Sequence, residues 1–173
     1  ASGAIAGVSG GVEGEFFAVR WDGVDAAPVR IGPLPGAMNS EARAINAGGD
    51  VAGRSSFADG RTQAFLHRRA TNVLEALPFL PGGAGYAEAF GIDAAGDVVG
   101  TARVPGDVVH AVLWRGGKAY DLNVQVLDLE GPGIGYLASA NAIDDEGRIA
   151  CEAVLKNGLR RIVILAPAPG PLP

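Results

Sequence analysis

Between Ser40 and Tyr86 the apolar residues fall in four short runs, each closed by a turn signal. Ala42 to Ile45 reads as a short strand, here called a. Asn46-Ala47-Gly48-Gly49 follows as a turn, in which Asn opens and Gly supplies a positive φ. Asp50 to Ser55 is strand b. Phe57-Ala58-Asp59-Gly60 is a second turn with an Asp-Gly signal, and Thr62 to Arg68 is strand c. Asn72 to Leu77 is strand d. Pro78 to Gly85, rich in Pro and Gly, connects to what comes next. No window holds the i, i+3, i+4, i+7 spacing of a helix across these glycine turns. The pattern therefore predicts an all-β chain.

The same phrase then restarts. Ile45-Asn46-Ala47-Gly48-Gly49-Asp50-Val51 returns as Ile92-Asp93-Ala94-Ala95-Gly96-Asp97-Val98 and as Ile143-Asp144-Asp145-Glu146-Gly147-Arg148-Ile149. Gly3-Ala4-Ile5-Ala6-Gly7 is the tail of a fourth copy. The anchoring glycines Gly3, Gly49, Gly96 and Gly147 are spaced by 46, 47 and 51 residues. In the third copy a is Ala89 to Ile92, b Asp97 to Arg103, c Val109 to Trp114 and d Ala119 to Val124. The last copy has a (Ala140 to Ile143), b (Arg148 to Leu155) and c (Arg160 to Leu165); the first lacks a. Four antiparallel strands per unit of this length predict a β-propeller-type repeat domain of about four units. A β-sandwich is the architectural alternative. One domain spans 1–166, with repeats at approximately 1–39, 40–86, 87–136 and 137–166. A Pro-rich tail occupies 167–173. Asn46, Asp93 and Asp144 should open equivalent turns, with Gly49, Gly96 and Gly147 at positive φ.

Composition narrows the function. Hydrophobic residues are 48% but aromatics only 6%, so the apolar content is mostly small and aliphatic. Glycine, at 27 of 173, recurs at fixed repeat positions, as turns require. The net charge is −5, and no basic cluster exceeds Arg68-Arg69 or Arg160-Arg161, which argues against nucleic acid as a partner. No apolar run reaches the ~18 residues that would span a bilayer. The single cysteine, Cys151, excludes an intrachain disulfide and a Cys-based zinc site. It stands where the other copies have Gly7, Gly53 and Gly100, the place of a small buried residue. The chain opens inside a repeat, which leads us to expect residues upstream of it.

At strand c the copies read Phe17-Ala18-Val19-Arg20-Trp21, Gln63-Ala64-Phe65-Leu66-His67, His110-Ala111-Val112-Leu113-Trp114 and Arg161-Ile162-Val163-Ile164-Leu165. With Ala-x-x-Ile-Asn-x-x-Gly-x-Val-x-Gly, this resembles the HAF family of extracellular repeats, named for its His-Ala-Phe triplet. His110 to Trp114, the Gly116-Gly117 turn and Tyr120-Asp121-Leu122 match that consensus. The second copy departs from it at Gln63, His67 and Glu75-Ala76-Leu77, and the fourth has lost both His and Trp. The resemblance covers nearly the whole chain and implies a bacterial or archaeal secreted or cell-surface protein of propeller-like fold. It supplies no catalytic residues. The Pro-rich tail resembles linkers that precede surface-sorting anchors.

Several apparent motifs dissolve into the repeat. Gly7-Val8-Ser9-Gly10-Gly11 has the form of a serine hydrolase nucleophile elbow, which needs a strand-turn-helix context. The same slot is Gly53-Arg54-Ser55 and Gly100-Thr101-Ala102, so Ser9 is a strand b position. His67 and His110 fall at opposite ends of strand c, and a metal centre needs further ligands. We expect each to bond within its own repeat. Asp144-Asp145-Glu146 is too short for a calcium loop and reads as a solvated turn. Gly82 to Gly85 and Gly131 to Gly135 lack the Lys-Ser/Thr and helix of a phosphate cradle. Trp21 and Trp114 are equivalent and read as core. Tyr86 and Tyr136 each close the d–a connection after a Gly, and are the residues to examine for a ligand. No metal and no cofactor is expected.

These readings favour a non-enzymatic extracellular binding or scaffold module, with a carbohydrate or protein ligand at the cell surface. The alternative is a hydrolase acting on a polysaccharide or ester from the loop face of a propeller. The incomplete end repeats carry free strand edges, which favour either closure of the two termini on each other or a homodimer through the end strands.

Overall fold

The computed structural model describes residues 3–11, 14–125 and 133–167. Among these, fourteen strands form four antiparallel sheets in chain order. The first sheet is β1 (Ile5–Gly10), β2 (Phe16–Trp21) and β3 (Val29–Arg30). The second is β4 (Asn39–Ile45), β5 (Val51–Ser56), β6 (Thr62–Arg68) and β7 (Val73–Ala76). The third is β8 (Ala87–Ile92), β9 (Val98–Val104), β10 (Val108–Arg115) and β11 (Lys118–Asp121). A single helical turn, α1 (Leu122–Gln125), follows, then a fourth sheet of β12 (Ile134–Ile143), β13 (Ile149–Leu155) and β14 (Arg160–Leu165). Each sheet is a meander of neighbouring strands, as hairpin turns at this spacing require. Four sheets in series replace the two facing sheets of a sandwich.

The turn between strands a and b is built the same way three times. The amide of Asn46 donates to the Asp50 carbonyl (3.1 Å), Gly49 N–H donates back to the Asn46 carbonyl (3.0 Å), and Asp50 N–H donates to Asn46 Oδ1 (3.0 Å). Asp93 and Asp144 repeat every one of these bonds. Gly49, Gly96 and Gly147 take φ of 83°, 85° and 75°, a region that side chains rarely enter. The turns also touch one another. Asn46 Nδ2 donates to the Asp93 carbonyl, and Ala94 N–H donates to Asp145 Oδ1, both at 2.9 Å. The acidic run Asp144-Asp145-Glu146 is thereby occupied: a turn cap, a link to the previous sheet, and a partner for Arg148 (2.7 Å).

The sheets stack face to face through their first strands. β4 lies across β1 and β2, β8 across β4, β5 and β6, and β12 across β8, β9 and β10. Three small cores result. Ala18, Ile31, Val51 and Phe65 fill the first gap, and Ala52, Leu66, Leu80, Val98 and Trp114 the second. Val99, Leu113, Leu137, Cys151 and Leu155 fill the third. The alanines of the repeat, Ala52, Ala64, Ala87, Ala89, Ala102 and Ala153, are all inaccessible to solvent, which lets the sheets approach closely.

The structure departs from the sequence reading in four places. The d strand of the third repeat stops at Asp121, because Asp121 Oδ1 accepts the Asn123 amide (2.9 Å) and turns the chain into α1. The first strand of the fourth repeat begins at Ile134, so the boundary at 136/137 falls inside β12. Trp114 is core, but Trp21 is only half-buried. Finally, β1 and β14 belong to different sheets with no ladder between them, so pairing of the two end strands does not close the array among the described residues. Residues 168–173 of the Pro-rich tail and 131–132 of the second glycine connection lie outside the described residues.

Candidate binding site

Tyr86 and Tyr136 occupy equivalent places at the head of a first strand. The Tyr86 carbonyl accepts from Arg103 N–H (3.0 Å), and Tyr136 stands opposite Val154, the residue equivalent to Arg103. Their surroundings differ because the residues that follow differ. Two positions after Tyr86 comes Glu88, which is buried and ion-paired with Arg54 Nη1. Arg54 reaches Glu41 as well, with Nη2 at 2.5 Å from Oε1. The Tyr86 hydroxyl hydrogen-bonds to Glu88, and burial together with that carboxylate pushes its pKa up. The Arg103 guanidinium lies 5.7 Å from the ring centre. Tyr86 is thus committed to an internal polar cluster between the second and third sheets.

In the fourth repeat the residue equivalent to Glu88 is Ser139, which makes no such claim on the ring. Tyr136 instead forms a wall of a cleft of about 640 Å³ between the third and fourth sheets. Its ring centre lies 6.0 Å from that of His110, tilted by 34°. His110 is itself fixed, with Nδ1 2.7 Å from Asp121 Oδ2. The rest of the lining is mainly polar: Thr101, Asp107, Ser139, Asn141, Glu152 and Arg160. Arg160 Nη1 donates to Glu152 Oε1 at 2.6 Å, and that bond holds the Arg160 pKa above its usual value. Thr101 Oγ1 donates to the Ala138 carbonyl (3.0 Å), tying the two sheets together beside the cleft. The arrangement offers an aromatic face, a cation, two carboxylates and neutral donors and acceptors in one open concavity.

The structure brings Tyr136 and His110 together and leaves Tyr86 out of the cleft. His67, 2% exposed, makes a 3.1 Å contact from Nε2 to Asn72 Oδ1 within the second sheet and does not approach His110's site. Ser9 sits on β1 opposite Phe17, inside a ladder and not at a strand-to-helix turn. Cys151 is fully buried, and burial alone pushes its thiol up to about 12. Among the described residues no three His, Cys, Asp or Glu side chains converge as metal ligands. Sequence reasoning missed Asp107, Ser139, Asn141, Glu152 and Arg160. One signal was available: at the slot of Val8, Arg54 and Thr101 the fourth copy carries Glu152, a departure from the repeat.

No family model matches this chain, and no curated protein matches it. Among solved structures the chain is similar to TolB from Acinetobacter baumannii, a β-propeller, with a TM-score of 0.64 at 15% sequence identity. The match covers 95% of this chain but 38% of that one, so the chain spans well under half the length of its structural neighbour. At that identity the likeness speaks to fold alone. The chain is an all-β domain of propeller type, and no helix among its described residues is long and apolar enough to cross a membrane.

Proposed function

We propose that this chain is a non-enzymatic binding or scaffold module of the HAF-repeat type, working at a bacterial or archaeal cell surface, with a carbohydrate as its ligand. The observation that carries the reading is the cleft itself. Tyr136, steadied by the His110–Asp121 pair, presents an aromatic face beside Asp107, Asn141, Glu152 and Arg160. Sugars combine an apolar ring face with a rim of hydroxyls, and an aromatic wall with paired polar groups matches both. A propeller-type fold supports the reading, since its sheets hold such clefts on rigid strands.

Isothermal titration calorimetry against a panel of neutral and acidic oligosaccharides tests it. Tyr136→Ala should weaken binding at least about tenfold, the loss expected for one aromatic contact of ~1.4 kcal/mol. Tyr86→Phe, outside the cleft, should leave it unchanged. Absence of binding across the panel would overturn the carbohydrate reading. Release of reducing ends or of an ester's alcohol during incubation would replace it with the hydrolase alternative.

A further inference from the structure

Three glycines share one slot in strand b of their repeats: Gly7, Gly53 and Gly100. At Gly53 an added Cβ would run into the Glu41 carbonyl oxygen, and at Gly100 into the Glu88 carbonyl oxygen. In both sheets that carbonyl belongs to the paired first strand, at a β-bulge: the register of β4 on β5 shifts between Ala42 and Ala44, and that of β8 on β9 between Ala89 and Gly91. The glycine is what lets a bulged first strand close on strand b. In the fourth sheet Cys151 fills the slot, and there β12 carries three register shifts instead of one. At Gly7 nothing of the kind exists. An added Cβ meets only the Trp21 ring, at 3.4 Å. The chain keeps a glycine whose steric reason is a neighbouring strand, at a place where no described strand lies.

A second observation agrees. β1 pairs with β2 on one side and is the edge of its sheet on the other. Its ladder with β2 repeats the second sheet residue for residue: Ile5 faces Trp21 as Val51 faces His67, and Gly7 faces Val19 as Gly53 faces Phe65. Yet Ile5 is 58% exposed, whereas its equivalents Val51 and Val98 are at 0%. In the third sheet Arg103 N–H donates to the Tyr86 carbonyl, so the equivalent Gly10, and Val8 and Ala6 in alternation with it, turn their backbone groups outward.

We propose that the outer edge of β1 is a docking edge for an extended strand contributed by another polypeptide. That strand carries the pattern small-x-Ala-x-small-Ile found in Ser40–Ile45, Ala87–Ile92 and Ala138–Ile143. It adds antiparallel, with its central Ala opposite Gly7, its terminal Ile opposite Ile5 and its leading small residue opposite Ser9, following the register of β4 on β5. Main-chain bonds supply the affinity, and the bulge over Gly7 supplies the selection. The proposal is independent of the carbohydrate cleft.

The probe is a fluorescein-labelled peptide of residues 38–46, Met-Asn-Ser-Glu-Ala-Arg-Ala-Ile-Asn, titrated with the 173-residue chain and read by fluorescence anisotropy. Saturable binding is expected. Gly7→Ala should weaken it at least about tenfold, because even a methyl group occupies the place the bulge carbonyl needs. Its melting temperature should stay within about 2 °C of the parent, since the methyl has room in the free chain. Val8→Pro, which deletes one outward N–H on an edge strand that tolerates proline, should weaken binding likewise. A peptide with Pro at both alanine positions leaves the chain untouched and should not bind, nor should a scrambled one. Four results would overturn the proposal: no saturation at about 1 mM peptide, equal binding of the scrambled peptide, unchanged binding by folded Gly7→Ala, or a homodimer in sedimentation that Val8→Pro dissolves. The last would assign this edge to a second copy.

Discussion

Gly100→Ala puts the stacking scheme at risk with a single methyl group. Gly100 has none of the positive φ that marks the turn glycines, so backbone strain is not at issue. What the methyl meets is main chain: the Glu88 carbonyl oxygen, and the Ala89 Cα at 2.9 Å. No side chain can rotate away, so β8 must shift relative to β9. Overpacking of this kind costs about 1–3 kcal/mol. Loosening one or two ladder bonds at the bulge adds about 1 kcal/mol each. Against this, replacing Gly by Ala stiffens the unfolded chain and returns about 0.4–1 kcal/mol. The net expectation is a loss of about 2–4 kcal/mol. For a domain of this size each kcal/mol lowers the melting temperature by about 2–4 °C, so a drop of roughly 5–15 °C is expected.

Circular dichroism melts and urea titrations measure it, with two comparators. Gly53→Ala, blocked by the Glu41 carbonyl and the Phe65 ring at 2.8 Å, should fall in the same range. Gly106→Ala has φ of 86° and open space around the added Cβ, so it should lose only about 1 kcal/mol, from conformation alone. If Gly100→Ala melts within 1 °C of the parent, or no worse than Gly106→Ala, the close approach of the first strand is not what fixes glycine there.

Trp114→Phe should cost about 2–3 kcal/mol, because Trp114 Nε1 donates to the Pro78 carbonyl at 2.8 Å and the phenyl ring leaves that acceptor unmet; Trp21→Phe, on a half-buried ring, should cost less than about 1 kcal/mol by the same urea titration. Arg54→Met should destabilise by about 3 kcal/mol, since it strands the buried Glu88 carboxylate, and Glu88→Gln added to it should recover at least half. Cys151 should resist iodoacetamide in the native chain at pH 8 and react in denaturant. Its folded pKa of about 12 lies above the ordinary 9.0, so the folded state holds the extra proton between those values, and stability should fall as pH rises from 9 towards 12; Cys151→Ala should remove that part of the slope.

The strands and the a–b turns were legible because their causes are local. Asn46, Asp93 and Asp144 cap their own turns, and the glycine three residues on supplies the conformation. Thr62–Arg68 and Arg160–Leu165 were predicted to the residue. The errors arise where a distant partner decides. β12 extends back to Ile134 because β13 continues to pair with it as far as Leu155. Trp114 is buried because the Pro78 connection arrives over it from the previous repeat, and Trp21 has no such neighbour among the described residues. Tyr86 and Tyr136 read as one site because they share a repeat position. Glu88 draws Tyr86 into an ion-paired cluster, and Ser139 leaves Tyr136 facing the cleft.

Function in such an array must come from departures, since what all copies share is consumed by stacking. The slot after the strand b glycine shows how. It faces the next sheet in every repeat, and holds Val8, Arg54, Thr101 and Glu152 in turn. Arg54 spends its charge on Glu41 and Glu88, sealing the second sheet to the third. Thr101 spends its hydroxyl on the Ala138 carbonyl, sealing the third to the fourth. Glu152 has no following sheet among the described residues; it turns to Arg160 and lines the cleft. Val8 offers no polar group at all, beside a backbone edge that is still open. The two sealed slots therefore build the domain, and the two end slots are where it meets other molecules: a polar concavity at one end, and a row of unpaired main-chain groups at the other.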